Sequence, residues 1–404
     1  MPKALDGVRV VEFGWAAAGP LVGKYLANAG AEVIHIESGS ALDAFRSTYP
    51  PFKDNEPGPD RAAMFAFYND GKRGITLNLK HPRAAEVALA LVARSDVVIE
   101  SFPAGTLARR GLSHAALRAA RPDLIVLSSC NQGQTGPHAD HPGYGSQLTA
   151  LAGFIQLLGD PDRTPVILYG PYIDYIAVGY GVIAVLAALE RRRRTGEGCS
   201  IDLSQYEAGL QFMTPALLEY AANGVVSSRS GNRDLVAAPH GVYPCAGSDR
   251  WVALSIWSDA EWGRLRDAMG GPAWAEDPAF ASAVGRRDSD AQISQGIAAW
   301  TATRSREEVI DALRARGLRV APVETVSELF DDPQLAHRGF WQRVPHPVLG
   351  AITAMSAPYA LSASPARPER AGPVLGADNE YVFGELLAMP AAEREALTRE
   401  GLFA

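Results

Sequence analysis

Asp174 is the only charged side chain in YGPYIDYIAVG, residues 169–179. A Gly-Pro pair precedes it and a helix-patterned run follows. Asp at a helix start is a favoured N-cap, because its oxygen accepts from the free amides of the first turn. The neighbours Tyr172, Ile173, Tyr175 and Ile176 point to another use: they partly desolvate the carboxylate, and a partly dry carboxylate is the better nucleophile. Local pattern leaves cap and nucleophile both open.

Other groups invite chemistry. SFPAGTLARRG (101–111) ends a strand and carries Arg109 and Arg110. These are either a solvated helix end or a phosphate clamp at the carboxyl edge of a parallel sheet, where ligands of such folds bind. Lys72, Arg73 and Lys80 are candidates for the same anion. His240, in APHGVYPC, is an acid–base candidate or a structural histidine of a Pro/Gly turn. GYGVIA (179–184), with Asp202 about twenty residues on, has the form of a dinucleotide fingerprint. That fingerprint needs a strand and a tight turn before its first glycine. Gly179 and Gly181 fall inside a helical stripe instead, and read as close-packing positions. No His-x-x-x-His, Cys-x-x-Cys or clustered carboxylates point to a metal, and no Gly-x-Ser-x-Gly to a serine hydrolase.

The elements that must hold these groups follow from periodicity. VRVVEF (8–13) and EVIHIE (32–37) are apolar runs that read as buried strands, joined by the helical pattern LVGKYLANAG. GITLNLK (74–80), DVVIES (96–101), LIVLSS (124–129) and CSIDLS continue the series, with helical patterns between them. Alternation of this kind predicts an α/β fold with a parallel sheet. The segment 38–66 has prolines and no period, and reads as a ligand-side loop. From Ile173 to Ala188 the apolar positions form one helical stripe, closed by Arg191–Arg194 at the C-terminal turn, and QYEAGLQFMTPALLEYAANG reads as one further helix. Near residue 225 the chain turns Gly- and Pro-punctuated and strand-like. This predicts a large domain over 1–224, a small domain over 225–325, and a return segment over 326–404 that completes the large one.

Composition narrows the class. At 47% hydrophobic and 21% charged residues, the 404-residue chain reads as globular. A net charge of −7 and one short basic tract argue against nucleic acid. Cys130, Cys199 and Cys245 lack paired spacing. The N-terminus has no signal pattern, and no apolar run reads as long enough for a membrane helix. The expectation is a reduced, soluble, cytoplasmic protein with no membrane or nucleic-acid partner.

Taken together, LDGVRVVEFGWAAAGP, GAEVIHIE, FYNDGKRGITLNLK, SFPAGTLARRG, GQTGP, DYIAVGYGVIAVLAALERRRRTGEG, SIDLSQYEAGL and APHGVYPC resemble the family III CoA-transferases, the group of the formyl-CoA:oxalate, carnitine and benzylsuccinate enzymes. The resemblance runs nearly end to end. It implies a Rossmann-like large α/β domain built from both chain ends, a smaller second domain, and an interlocked homodimer. The family's catalytic aspartate falls on Asp174. CoA contacts fall on Ala17, Ala18, Leu77, Asn78, Leu79, Lys80, Ser101, Phe102, Pro103, Arg109, Asn131, Gln132, Gly133 and Gln134. The resemblance further implies a substrate pocket at Trp15, Tyr144 and His240, no metal, and no permanently bound cofactor, with a CoA thioester and a free carboxylic acid as substrates. CoA would pass through an aspartyl thioester. Trp15 and Ala17 stand where the formyl-CoA:oxalate enzyme has His and Gln, and RDLVAAP replaces its glycine-rich loop, which disfavours oxalate. An α-methylacyl-CoA racemase is the alternative of the same fold. Its histidine would fall on Tyr144, which is a poor base near neutral pH. A non-catalytic partner subunit of a hetero-oligomer is a further alternative.

Overall fold

The computed structural model describes residues 3–404. Strands β1 (Arg9–Phe13), β2 (Glu32–Glu37), β3 (Arg73–Thr76), β4 (Val97–Glu100), β5 (Ile125–Cys130) and β6 (Cys199–Ser204) pair in parallel, in the order 3-2-1-4-5-6. Both faces are covered, which is why these strands are continuous apolar runs. Side chains alternate along a strand. Val11 and Phe13 therefore pack with Val87, Leu91 and Phe383, while Val10 packs with Leu21, Val22 and Leu26. Glu12 interrupts the run. Lys72 Nζ at 2.7 Å and His35 Nδ1 at 2.6 Å hold its Oε1.

The chain divides into two compact units. The first runs through Phe154, then Leu168–Asn223 and Pro333–Ala404; the second comprises Ile155–Ile167 and Gly224–Asp332. Ile155–Ile167 thus leaves the first unit, which a division into three consecutive blocks does not provide for. The C-terminal segment closes the edge of the sheet. Asp378 Oδ2 accepts from the Gly74 N–H at 2.8 Å, and Asn379 Oδ1 accepts from the Thr76 N–H at 2.9 Å. Val382, Phe383 and Leu402 enter the core.

Two boundaries differ from the sequence reading. The strand expected over 74–80 stops at Thr76. Beyond it the Asn78 N–H donates to the Leu402 carbonyl at 2.8 Å, so the backbone leaves the sheet for the C-terminal segment. The single helix expected after β6 is broken, ending at Leu210 and resuming at Thr214. Pro215 sits in the new first turn, where a missing N–H costs nothing.

The longest helix, Tyr172–Thr195, ends at Gly196, whose φ of 74° closes it in the left-handed region. By length and composition it is apolar enough to cross a membrane, which corrects the expectation that no run is. Small residues hid it, because alanine and glycine dilute its apolar stripe. One face packs on the Ala18–Asn28 helix, β5 and β6. A Cβ on Gly181 would lie 2.8 Å from Val22 Cγ2, so this glycine is a close-packing position; Gly179 faces open space.

The second unit has an antiparallel sheet of β7 (His240–Pro244), β8 (Trp251–Ser255) and β9 (Arg319–Pro322). Its core gathers Trp262, Phe280, Ile293, Val309 and Leu313.

Candidate active site

The turn before the Tyr172–Thr195 helix needs Gly170, whose φ is 72°. Pro171 occupies the cap position, so Asp174 lies inside the first turn and makes no capping bond. The cap reading of Asp174 therefore does not hold. Its Oδ1 is buried and has no hydrogen-bond partner. Burial pushes the Asp174 carboxyl up to about 7. The positive end of the helix dipole favours the anion but does not offset this desolvation. Opposite lies the start of the Gly145–Leu151 helix: a Cβ placed on Gly145 would sit 2.5 Å from Asp174 Oδ1 and 2.5 Å from Pro171 Cβ. Tyr144, just before it, is 72% exposed. Next to Asp174, the Tyr175 hydroxyl is hydrogen-bonded to that of Tyr68. Burial, then Tyr175 and Asp174, push the Tyr68 phenol well up, so it stays neutral.

A cavity of about 320 Å³ opens at the carboxyl ends of β1–β4, where the strand order reverses and such sheets bind ligands. Trp15, Leu77, Asn78, Leu79, Lys80, Phe102 and Pro103, all expected at the site, line it. Glu37, Ser38, Ser40, Ala41, Thr106, Leu107 and Arg110 line it too. Trp15 stacks edge-on against Phe102, with centroids 5.8 Å apart. Ala17 and Ala18 are buried below, at the start of the Ala18–Asn28 helix. Ser101 Oγ is buried without a partner. It lies so close to the backbone that a Cβ on Gly14 would meet it at 2.3 Å, which explains the glycine.

Buried polar groups hold the chain next to two lining residues, Trp15 and Glu37. Ala16 adopts φ 60°, a strained conformation for a residue with a side chain. Its N–H donates to Asp43 Oδ2 at 2.9 Å, and the Phe45 N–H donates to Asp43 Oδ1 at 2.7 Å. Arg46 binds Glu37 through Nη2 at 2.7 Å and also reaches the Pro373 carbonyl at 3.0 Å. The segment 38–66 is thus pinned beside the cavity. Only its lack of period was visible in the sequence; Asp43 was missed, and an Asp two residues before Phe45 in a loop was the available signal. After β5, Gln134 Nε2 donates to Glu100 Oε1 at 2.8 Å, and Gln134 Oε1 accepts from the Gly105 N–H at 3.4 Å. Asn131 Nδ2 donates to the Gly143 carbonyl at 2.9 Å. Gln132 and Gly133, the latter at φ 88°, complete this loop after β5.

Two of the candidate cations, Lys72 and Arg73, are held in ion pairs. Lys72 is buried and spent on Glu12, Pro20 O and Asn69. Arg73 pairs with Glu32 and Asp378. Arg109 folds back, with Nη2 donating to Thr106 Oγ1 at 2.9 Å, while Arg110 lines the cavity with Lys80. His240 belongs to the second unit, where it borders an open depression of about 710 Å³ with Asp290 and Tyr243. Its Nδ1 lies 2.5 Å from the Asn232 carbonyl. Among the described residues, no group of three His, Cys, Asp or Glu side chains could hold a metal.

The model of CoA-transferase family III matches residues 5–379. The chain belongs to this family. It is 33% identical to the succinyl-CoA–D-citramalate CoA-transferase of Chloroflexus aurantiacus, over 96% of this chain and 95% of that one. It is 32% identical to the succinate–glutarate CoA-transferase of Agrobacterium fabrum, over 95% of each chain. A CAIB/BAIF family protein from Brucella suis superposes with a TM-score of 0.88 at 31% identity, covering 96% of this chain and all of that one. The protein is therefore a family III CoA-transferase, a mixed α/β enzyme whose substrates are CoA thioesters.

Proposed function

We propose that this enzyme moves CoA from succinyl-CoA to a free carboxylic acid through covalent intermediates on Asp174. The observation that carries the reading is the buried, partnerless Oδ1 of Asp174 in a chain whose relatives are named for succinyl-CoA or succinate transfer. Asp174 attacks the donor thioester, giving a mixed anhydride and CoA thiolate. The thiolate returns to the aspartyl carbonyl, releasing succinate. The acceptor acid then repeats the sequence in reverse. Each step exchanges one activated acyl group for another, so the reaction needs no external energy source.

The cavity over the Rossmann-like switch point takes part of the CoA, with Arg110 and Lys80 facing its phosphates. Trp15 gives the acid site a broad apolar wall with one donor N–H, which favours an acid with an apolar or branched body over oxalate. The relatives named for glutarate and citramalate support that direction. We read the enzyme as an interlocked homodimer. Ile183 is 65% exposed, Leu218 is 61% exposed, and the Thr214–Asn223 helix has no buried residue, an apolar surface that suits a second copy. Relatives named as alpha and beta subunits keep a hetero-oligomer in view. The reduced cysteines Cys130, Cys199 and Cys245 fit a cytoplasmic enzyme.

The test is purified protein alone with succinyl-CoA and a panel of glutarate, citramalate, mesaconate and oxalate, with acyl exchange followed by mass and the oligomer by light scattering. Transfer to a bulkier acid, with oxalate the poorest acceptor, is expected. Preference for oxalate would overturn the reading of Trp15.

A further inference from the structure

The niche around Asp174 treats its two oxygens differently. Oδ1 is buried with no hydrogen-bond partner, and Gly145 is packed against it. Gly145 carries no left-handed φ, so its conformation does not demand glycine. Space does: a methyl group there would lie 2.5 Å from Oδ1 and 2.8 Å from Pro171 Cα. Real contacts of that length do not occur, so either the carboxylate or the helix would have to shift.

We propose that Gly145 is a positioning residue that locks the Asp174 carboxylate, with Oδ1 as a permanent spectator and Oδ2 as the oxygen handed over at every turnover. The inference rests on Asp174 being the nucleophile. Oδ2 bonds to the acyl carbon of the donor, and the C–S bond breaks with its electron pair leaving on the CoA thiolate. The thiolate then bonds to Asp174 Cγ, and the Cγ–Oδ2 bond breaks, so Oδ2 departs inside the released acid. The acceptor carboxylate attacks Cγ and expels the thiolate. The thiolate finally attacks the acceptor acyl carbon, whose bond to the bridging oxygen breaks, and that oxygen stays on Cγ as the new Oδ2. Oδ1 takes part only as a carbonyl oxygen and returns to its niche. A carboxylate free to rotate about Cβ–Cγ would exchange the two roles between turnovers.

The wild-type enzyme tests this directly. It is turned over many times with succinyl-CoA and an acceptor acid bearing ¹⁸O in both carboxyl oxygens, and the peptide containing Asp174 is weighed. One heavy oxygen, stable with further turnovers, is the expected result. Two heavy oxygens would overturn the lock while leaving Asp174 as nucleophile. No label would overturn the nucleophile itself, and the lock with it. A second arm is Gly145→Ala. With the carboxylate displaced, kcat should fall on the order of a hundred-fold at unchanged CoA affinity, and the acidic limb of kcat/KM should move to lower pH as the group gains water. Normal kcat with an unmoved limb would reject the positioning role.

Discussion

Among the carboxylates of the first unit, Glu12 and Asp174 are driven apart by their surroundings. Glu12, in the middle of β1, has burial pushing it up, yet the Lys72 ammonium and His35 outweigh that and hold it at about 2. Asp174, in the first turn of its helix, has burial and no cation, and rises to about 7. Burial is common to both, so the partner decides the outcome. A paired buried carboxylate is structural, whereas an orphaned one stores free energy that chemistry can release. Both lie against glycines with no room for a Cβ, Gly23 at Glu12 and Gly145 at Asp174; the carboxylate without a cation is the one beside the Tyr68–Tyr175 pair.

The comparison is broken most severely at Asp174. Asp174→Ala should lower transfer on the order of 10⁴-fold or more, as loss of a covalent nucleophile does elsewhere, with folding and CoA binding kept. Substantial residual turnover by the purified variant would assign the chemistry to another group. Next comes Lys72→Met, which removes the ammonium and leaves the buried Glu12 with only His35 as partner. About 3–5 kcal/mol of stability should be lost, read by denaturant unfolding with a matched Glu12→Gln/Lys72→Met variant recovering part of it. A loss below about 1 kcal/mol would show that the pair contributes little and that the contrast with Asp174 is overdrawn.

A smaller effect separates the two arginines that the sequence could not. Arg110→Ala should weaken CoA binding by roughly ten- to hundred-fold, the worth of a charge-assisted contact. Arg109→Ala should weaken it less, since its guanidinium is engaged with Thr106 and the Ala104 carbonyl. Calorimetry with the reverse ranking would place the phosphates on the Arg109 side.

How legible was this in the sequence? The strands were, because a sheet covered on both faces leaves runs such as VRVVEF that few other structures require. Their ends were not: GITLNLK alternates apolar and polar residues to its end, and only the Leu402 carbonyl, far along the chain, draws Asn78 out of the sheet. The segment Ile155–Ile167 carries no pattern that assigns it to the second unit. At the site, Trp15, Leu77–Lys80, Phe102 and Pro103 line one cavity because they follow strand ends; the family resemblance, not periodicity, pointed to Leu77–Lys80, Phe102 and Pro103. Lys72 and Arg73 could not be excluded in advance, since a lysine destined for a buried Glu12 looks like any other until the sheet is folded. Gly145 was invisible, its role resting on a contact with a residue 29 positions away.

The finest test of the contrast concerns stability. Asp174 binds its proton more tightly folded than unfolded, with a carboxyl raised from 3.8 to about 7. Its favourable share of stability is therefore complete below about pH 4 and lost as pH rises through about 7. Above that, the folded protein carries an ion it has desolvated. Asp174→Asn removes the titration, so the variant should match wild type near pH 4 and unfold at higher temperature than wild type at pH 8. Three pK units bound the gain at about 4 kcal/mol, and the partial exposure of the residue makes it smaller. Glu12→Gln should show the opposite trend: the wild-type carboxylate, held at about 2, is stabilising at every pH above its unfolded value, and the variant should lose most at pH 8. If both variants shift stability in the same direction at pH 8, then partners do not separate these two carboxylates, and the assignment of Asp174 as the strained, reactive one loses its physical basis.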